Sequence, residues 1–126
     1  MTINISDDDI KHGLSVLVIK QGEDFVYSKR NVTEDSEGRR VYVHQGKPDC
    51  IIGQFLAGKG VPVERLKRGD TTTLLGRSAF DLLDDLREEG VITISWKGMN
   101  ALRVAQSMQD RGRTWGDAAT LALMEF

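Results

Sequence analysis

The sequence is poor in the residues that most often carry chemistry, since it contains one cysteine and two histidines. One cysteine excludes an internal disulfide, and with it a disulfide-stabilised secreted scaffold. A formal net charge of −2 supplies no overall basic field that would draw the chain to nucleic acid. No apolar run approaches the roughly 18 residues of a membrane span. The polar start MTINISDDDI is typical of neither a signal peptide nor a transit peptide. We therefore expect a cytoplasmic protein without a membrane partner.

The residues suited to chemistry do not form a recognisable catalytic or metal-binding motif. His12, His44 and Cys50 lack the spacing of a zinc site, and no G-x-S-x-G signature is present. The stretch GQFLAGKG, from Gly53 to Gly60, resembles a P-loop, but Gly60 stands where a Ser or Thr would hold magnesium. A helix closed by a glycine explains this stretch better. We predict no catalytic residue, no metal site and no cofactor.

Helix signals recur along the 126 residues, whose 40% hydrophobic and 29% charged composition is ordinary for a globular protein. Two capping boxes predict helix starts: Ser6 with Asp9 begins the first helix, and Thr114 with Asp117 begins the last. Four helices carry apolar stripes at helical spacing. The stripes comprise Ile10, Leu14, Leu17 and Val18; Ala79, Leu82, Leu83 and Leu86; Ala101, Val104, Ala105 and Met108; and Trp115, Ala118, Ala119, Ala122 and Phe126.

Three short runs of β-branched and aromatic residues predict strands. DFVYS and RVYVHQ indicate a hairpin with a mobile loop around residues 29–39, and VITIS indicates a third strand. Pro48 and Asp49 are predicted to open a helix between the second and third strands. We therefore expect residues 1–126 to form one α+β domain in the order α-β-β-α-α-β-α-α. A small, mostly antiparallel three-stranded sheet would pack against about five helices.

The last stretch, QDRGRTWGDAATLALMEF, surrounds one tryptophan with charged residues and glycines. We interpret Trp115 as a core anchor at the start of the final helix, and Gly112 as the residue that lets the chain reverse before it. A buried indole N–H usually finds a hydrogen-bond acceptor. Gln106 and Gln109, on the preceding helix, are the predicted acceptors.

Cys50 stands in the predicted first turn of a helix, where the helix dipole can lower the pKa of a thiol. A thiol or small-molecule enzyme around Cys50 and His44 is therefore one alternative. Cysteine is also among the residue types that are most often buried. We predict that Cys50 and Gly53 are structural.

Four basic residues occur around the last two predicted helices: Lys97, Arg103, Arg111 and Arg113. They could contact phosphates in the manner of a helix-turn-helix motif. A true nucleic-acid footprint usually shows a larger basic excess. Nucleic-acid binding through these residues is kept as an alternative.

Two elements of the chain resemble motifs of a group of small proteins of actinobacteria and their phages. One is P-[SD]-C-[IL]-[IV]-G-x-x-L and the other is Q-x-x-Q-D-x-G-x-x-W, and the resemblance covers roughly residues 24–122. The matching residues are Pro48, Asp49, Cys50, Ile51, Ile52, Gly53 and Leu56, then Gln106, Gln109, Asp110, Gly112 and Trp115. The resemblance implies a phage or actinobacterial intracellular setting and one shared fold, but no mechanism.

Because groups suited to catalysis do not converge in the sequence, the favoured function is non-catalytic. We expect a small interaction or regulatory protein, possibly phage-encoded, that binds a host protein or a second copy of itself. The alternatives are a nucleic-acid-binding regulator and an enzyme around Cys50.

Overall fold

The computed structural model describes residues 2–27, 50–66 and 79–126, together with the backbone of 43–44 and 47–48. These residues form six helices and four short strands. In chain order the elements are β1 (Ile3–Ile5), α1 (Asp7–Gln21), β2 (Val43–His44), β3 (Lys47–Pro48), α2 (Ile51–Gly58), α3 (63–66), α4 (Ala79–Glu88), β4 (Ile92–Ile94), α5 (Trp96–Asp110) and α6 (Trp115–Leu123).

Helix starts follow the local signals of the sequence. The Ser6 hydroxyl accepts from the Asp9 amide and the Asp9 carboxylate accepts from the Ser6 amide, both at 3.0 Å, which confirms the capping box of α1. Ser95 caps α5 by accepting from the backbone of the third helical residue. Thr114 caps α6 by accepting from the Asp117 amide at 3.0 Å. The Asp117 carboxylate lies 3.7 Å from Arg113 instead, so only the hydroxyl half of this second box forms within the described residues.

The predicted three-stranded, mostly antiparallel sheet with five helices is wrong. The described residues are mostly helical, and their principal sheet is a parallel pair of three-residue strands, β1 and β4. Ile3 lies opposite Ile92 and Ile5 lies opposite Ile94. The run VITIS does contain a strand, but its partner is the N-terminal INI. A three-residue strand shows too little periodicity to be recognised in the sequence.

The predicted hairpin also fails in the described residues. Val26, from DFVYS, forms an isolated antiparallel bridge with Thr114, just before α6. From RVYVHQ, only Val43–His44 forms a described strand, and it pairs with Lys47–Pro48. Pro48 was predicted to open a helix, yet it lies in β3 and α2 begins three residues later. The predicted mobile loop around residues 29–39 lies outside the described residues.

The core lies where α1, α2, α4, α5 and α6 meet, and it contains most of the predicted stripes. Ile10, Leu14 and Leu17 of α1 are buried, as are Ala79, Leu82, Leu83 and Leu86 of α4. The other fully buried large side chains include Ile51, Ile52, Leu56, Met99 and Trp115. Burial of these apolar surfaces is the main force that holds the helices together.

The Asp9 carboxylate makes stabilising electrostatic interactions at the start of α1. The backbone amide of Ser6 lowers the pKa of the Asp9 carboxyl below its ordinary value of 3.8. The Lys59 ammonium, 3.2 Å from the carboxylate, and the Ser6 hydroxyl lower this pKa further. Lys59 follows α2 directly, so this ion pair also ties the start of α1 to the end of α2.

Asp9 should therefore make stability depend on pH. Since its folded-state pKa lies below the unfolded value, ionised Asp9 stabilises the fold above about pH 4, and this contribution is lost as the pH falls through the folded-state pKa. We expect Asp9→Asn to lower the melting temperature at neutral pH and to flatten its decline between about pH 5 and about pH 3. Asp8→Asn, at a side chain that is 95% exposed in the same turn, is the control. Thermal unfolding followed by circular dichroism gives the profiles, and parallel profiles for Asp9→Asn and wild type would contradict this role.

Candidate functional site

Trp115 joins the start of α6 to the segment that follows α1. Its amide donates to the Phe25 carbonyl at 2.8 Å, and the Gly116 amide donates to the Glu23 carbonyl at 3.0 Å. The indole is 0% exposed and meets the Phe25 ring edge-on, with 4.9 Å between the centroids. The structure therefore places Trp115 in the core, at the first position of the final helix.

The predicted hydrogen bond of the indole is absent. The Gln109 side-chain carbonyl accepts instead from the Ile51 amide at 2.8 Å, so it satisfies a free amide at the start of α2. The Gln106 and Gln109 amide groups both donate to Asp110. The Trp115 Nε1 and the Gln106 Oε1 are buried and have no hydrogen-bond partner among the described residues. Within the described part of the chain, packing is therefore what holds the Trp115 side chain.

Gly116 is a structural residue that the sequence analysis missed. A Cβ atom at this position would lie 2.6 Å from the Glu23 carbonyl oxygen, which is closer than real Cβ contacts come. The close approach follows from the hydrogen bond between these two residues, because it brings the two backbones together. Nothing in the local helical pattern signals this contact, since residue 23 is distant in sequence.

Gly112 ends α5 in the way that the sequence indicates. Its φ of 84° lies in the left-handed region, and its amide donates to the Gln109 carbonyl at 3.0 Å. The next amide, of Arg113, donates to the Met108 carbonyl at 3.0 Å. This pair of bonds is a Schellman motif, which satisfies two free carbonyls at the helix end.

Cys50 is the N-cap of α2 and not a residue of its first turn as predicted, because the helix begins at Ile51. Its Sγ accepts from the Gly53 amide at 3.4 Å, and the side chain is fully buried. Cys50 and Gly53 thus act together at this helix start. The side chain of His44, which the thiol-enzyme alternative places near Cys50, lies outside the described residues.

The four basic residues are exposed but lie far apart along α5. Lys97 lies in the first turn of α5, Arg103 lies near its middle, and Arg111 and Arg113 follow its end. A 15-residue helix is about 22 Å long, so Lys97 is separated from the other end by that length. Arg113 is also paired with an acid of α6. Arg111 and Arg113 lie together beyond one end of α5, and Lys97 lies near its other end, so a shared contact with nucleic acid stays a prediction.

An open groove with a volume of about 400 Å³ lies between α1 and α6. The two helices run antiparallel, because Glu23 contacts the start of α6 and Lys11 lies over the ring of Phe126 beyond its end. Ile19, on the groove wall, is 82% exposed. The helical walls are formed by Ser15, Val18, Ile19, Ala119, Thr120 and Leu123.

One end of the same groove is acidic. Glu23 and Asp24, after α1, and Asp117, in the first turn of α6, contribute to its lining. None of the lining residues is basic. The groove therefore combines aliphatic walls with negative charge at the end where α6 begins.

A second groove, of about 260 Å³, lies between α1 and α2. Val16 and Phe55 supply apolar surface there, and Asp9 and Lys59 form their ion pair at its edge. Neither groove includes Cys50 in its lining. Of the two, the groove between α1 and α6 is larger and has the more exposed aliphatic side chain.

Other kinds of site have no support in the described part of the chain. No group of three or more His, Cys, Asp or Glu residues there is arranged to hold a metal ion. None of its helices combines the length and the hydropathy that crossing a membrane requires. In comparisons with known proteins, no family model, curated protein or solved structure matches the chain.

Gly116 provides a direct test of how α6 is attached. We expect Gly116→Ala to lower the free energy of unfolding by about 1–3 kcal/mol, the usual range for forced overpacking. Gly58→Ala is the matched control, since a Cβ at this helical glycine would meet no atom within 4 Å. Chemical denaturation measures both variants. If both variants have the same free energy of unfolding, the Glu23 backbone can move away from the added methyl group without loss of stability.

Trp115 provides a second test, with two substitutions. Trp115→Ala should cost about 3–5 kcal/mol, as expected when a large aromatic side chain leaves a cavity. Trp115→Phe should cost clearly less, because it keeps most of the ring and loses no hydrogen bond. Denaturation midpoints measure both. If the alanine variant melts within a degree or two of wild type, Trp115 is not the core anchor.

Proposed function

We propose that the protein is a non-catalytic interaction protein that binds another protein through the groove between α1 and α6. The observation that carries this proposal is Ile19, which is 82% exposed on the wall of that groove. Burial of a large aliphatic side chain such as Ile19 is favourable. A partner that covers Ile19 supplies that burial.

The shape of the groove supports a macromolecular partner. Sites for small molecules usually enclose most of their ligand, whereas this groove is open to solvent along one side. Val18 and Leu123 lie within the groove and are partly buried, so aliphatic surface continues inward from Ile19. An apolar surface rimmed by polar groups is typical of a protein-binding site.

The nucleic-acid and thiol-enzyme alternatives have less support. Lys97 and Arg111 are separated by the length of α5, and Arg113 already pairs with Asp117. Cys50 is buried and its sulfur accepts a backbone hydrogen bond, which suits a structural cysteine.

The resemblance of the Cys50 and Trp115 motifs to small proteins of actinobacteria and their phages suggests where the protein acts. On that basis we place it in the cytoplasm of an actinobacterial cell, encoded by the host or by a phage, with a regulatory role. Its partner would then be a host protein or a second copy of the chain.

The proposed function can be tested with one substitution in each groove. Immobilised wild type, Ile19→Asp and Val16→Asp are incubated with an actinobacterial lysate in nuclease-treated and untreated arms, and the retained proteins are identified. Val16 is also exposed on α1 but lines the other groove. We expect a protein that wild type and Val16→Asp retain and Ile19→Asp does not. Retention by all three, or loss only with Val16→Asp, would place binding elsewhere. Retention that requires intact nucleic acid would favour the basic residues of α5.

A further inference from the structure

The charges of the groove between α1 and α6 are all of one sign. Glu23, Asp24 and Asp117 line it, and no basic side chain does. Within the described part of the chain, Glu23 and Asp24 form no ion pair. The helix dipoles oppose each other here, since the C-terminus of α1 is negative and the N-terminus of α6 is positive, so the carboxylates set the sign of the field. A ligand at this end therefore meets a negative field.

Asp117 is already paired with a basic side chain of its own segment. Its carboxylate lies 3.7 Å from the Arg113 guanidinium, and both side chains are more than half exposed. A guanidinium thus already binds one of the three acids, from outside the groove lining. Glu23 and Asp24 offer two further carboxylates to cationic side chains that approach from the partner. Carboxylates bind guanidinium and ammonium groups through charge-assisted hydrogen bonds.

Aliphatic side chains also line the groove, beyond its acidic end. Ile19 lies in the last turn of α1, before the segment that carries Glu23, and Leu123 lies on α6 toward the end that is remote from the acids. Because the two helices are antiparallel, the aliphatic part and the acidic part follow one another along a single axis. An amphipathic segment with aliphatic residues next to basic ones matches this order.

We propose that the partner presents a cationic amphipathic segment to this groove, with its aliphatic side chains against Ile19 and Leu123 and its Lys or Arg side chains against Glu23 and Asp24. This inference rests on the proposed function and adds the chemistry and the direction of the bound segment. Electrostatic complementarity of this kind sets orientation and selects against acidic partners.

The test uses a random peptide library displayed on phage. The library is selected on immobilised wild-type protein and depleted on Ile19→Asp, so that the surviving peptides depend on the groove. We expect these peptides to combine Lys or Arg with aliphatic residues. The tightest peptide is then measured against Glu23→Gln/Asp24→Asn by isothermal titration. We expect its dissociation constant to rise about three- to tenfold, and binding to weaken as salt is added.

The double variant Glu64→Gln/Glu88→Gln is the control, since it removes the same charge from exposed positions outside the groove. It should leave the dissociation constant within about twofold of wild type. Melting temperatures of all variants verify that each is folded. Groove-dependent peptides without basic residues, or equal affinity of the two double variants, would overturn the inference and leave the proposed function standing. A selection that yields no peptide dependent on Ile19 would overturn both.

Discussion

The structure depends on the attachment of α6 to the segment after α1. Two amides of the first turn of α6 donate to the carbonyls of Glu23 and Phe25, and these bonds require the backbones to touch at Gly116. The same contact directs Trp115 into the core, where its indole packs edge-on against Phe25. The first amides of a helix have no partner within the helix, and here the irregular segment after α1 accepts hydrogen bonds from two of them. The final helix is thus fixed at its start, and its small residues can pack closely against α5.

This attachment also creates the groove. It holds the end of α1 beside the beginning of α6, so Glu23 and Asp117 come to lie at one end of the same cleft. Leu14 and Ala122 of these helices are fully buried in the core, whereas Ile19 is left on the outside. The residues that stabilise the fold are therefore different from the groove residues of the proposed function, although both sets lie on the same two helices. Exposed groove residues can be changed without loss of the fold, which makes the proposed function open to experiment.

Local patterns predicted most of the helices and the caps of the first and last, Ser6 and Thr114, because each depends on neighbours within one or two turns. Ser6 and Asp9 form the predicted capping box, and the stripe of α4 is buried as its spacing indicates. The sheet was predicted wrongly for the opposite reason. β1 and β4 pair across 89 residues, as between Asn4 and Thr93, and no periodicity links such distant strands. The indole partner was wrong because the Gln109 side-chain carbonyl is used by α2, an element outside the local pattern.

The sequence by itself therefore determined which residues form most of the helices and which of their faces are apolar, because helical periodicity and capping are local properties of the chain. It also indicated that Trp115 begins the last helix and that Gly112 ends the one before it. Only the tertiary structure decided that Gly116 must lack a side chain, that Cys50 caps α2, and that Ile19 lines a groove with acids at one end. Each of these depends on which distant segments pack together, and that choice is made by burial of the whole core rather than by any one stretch of sequence.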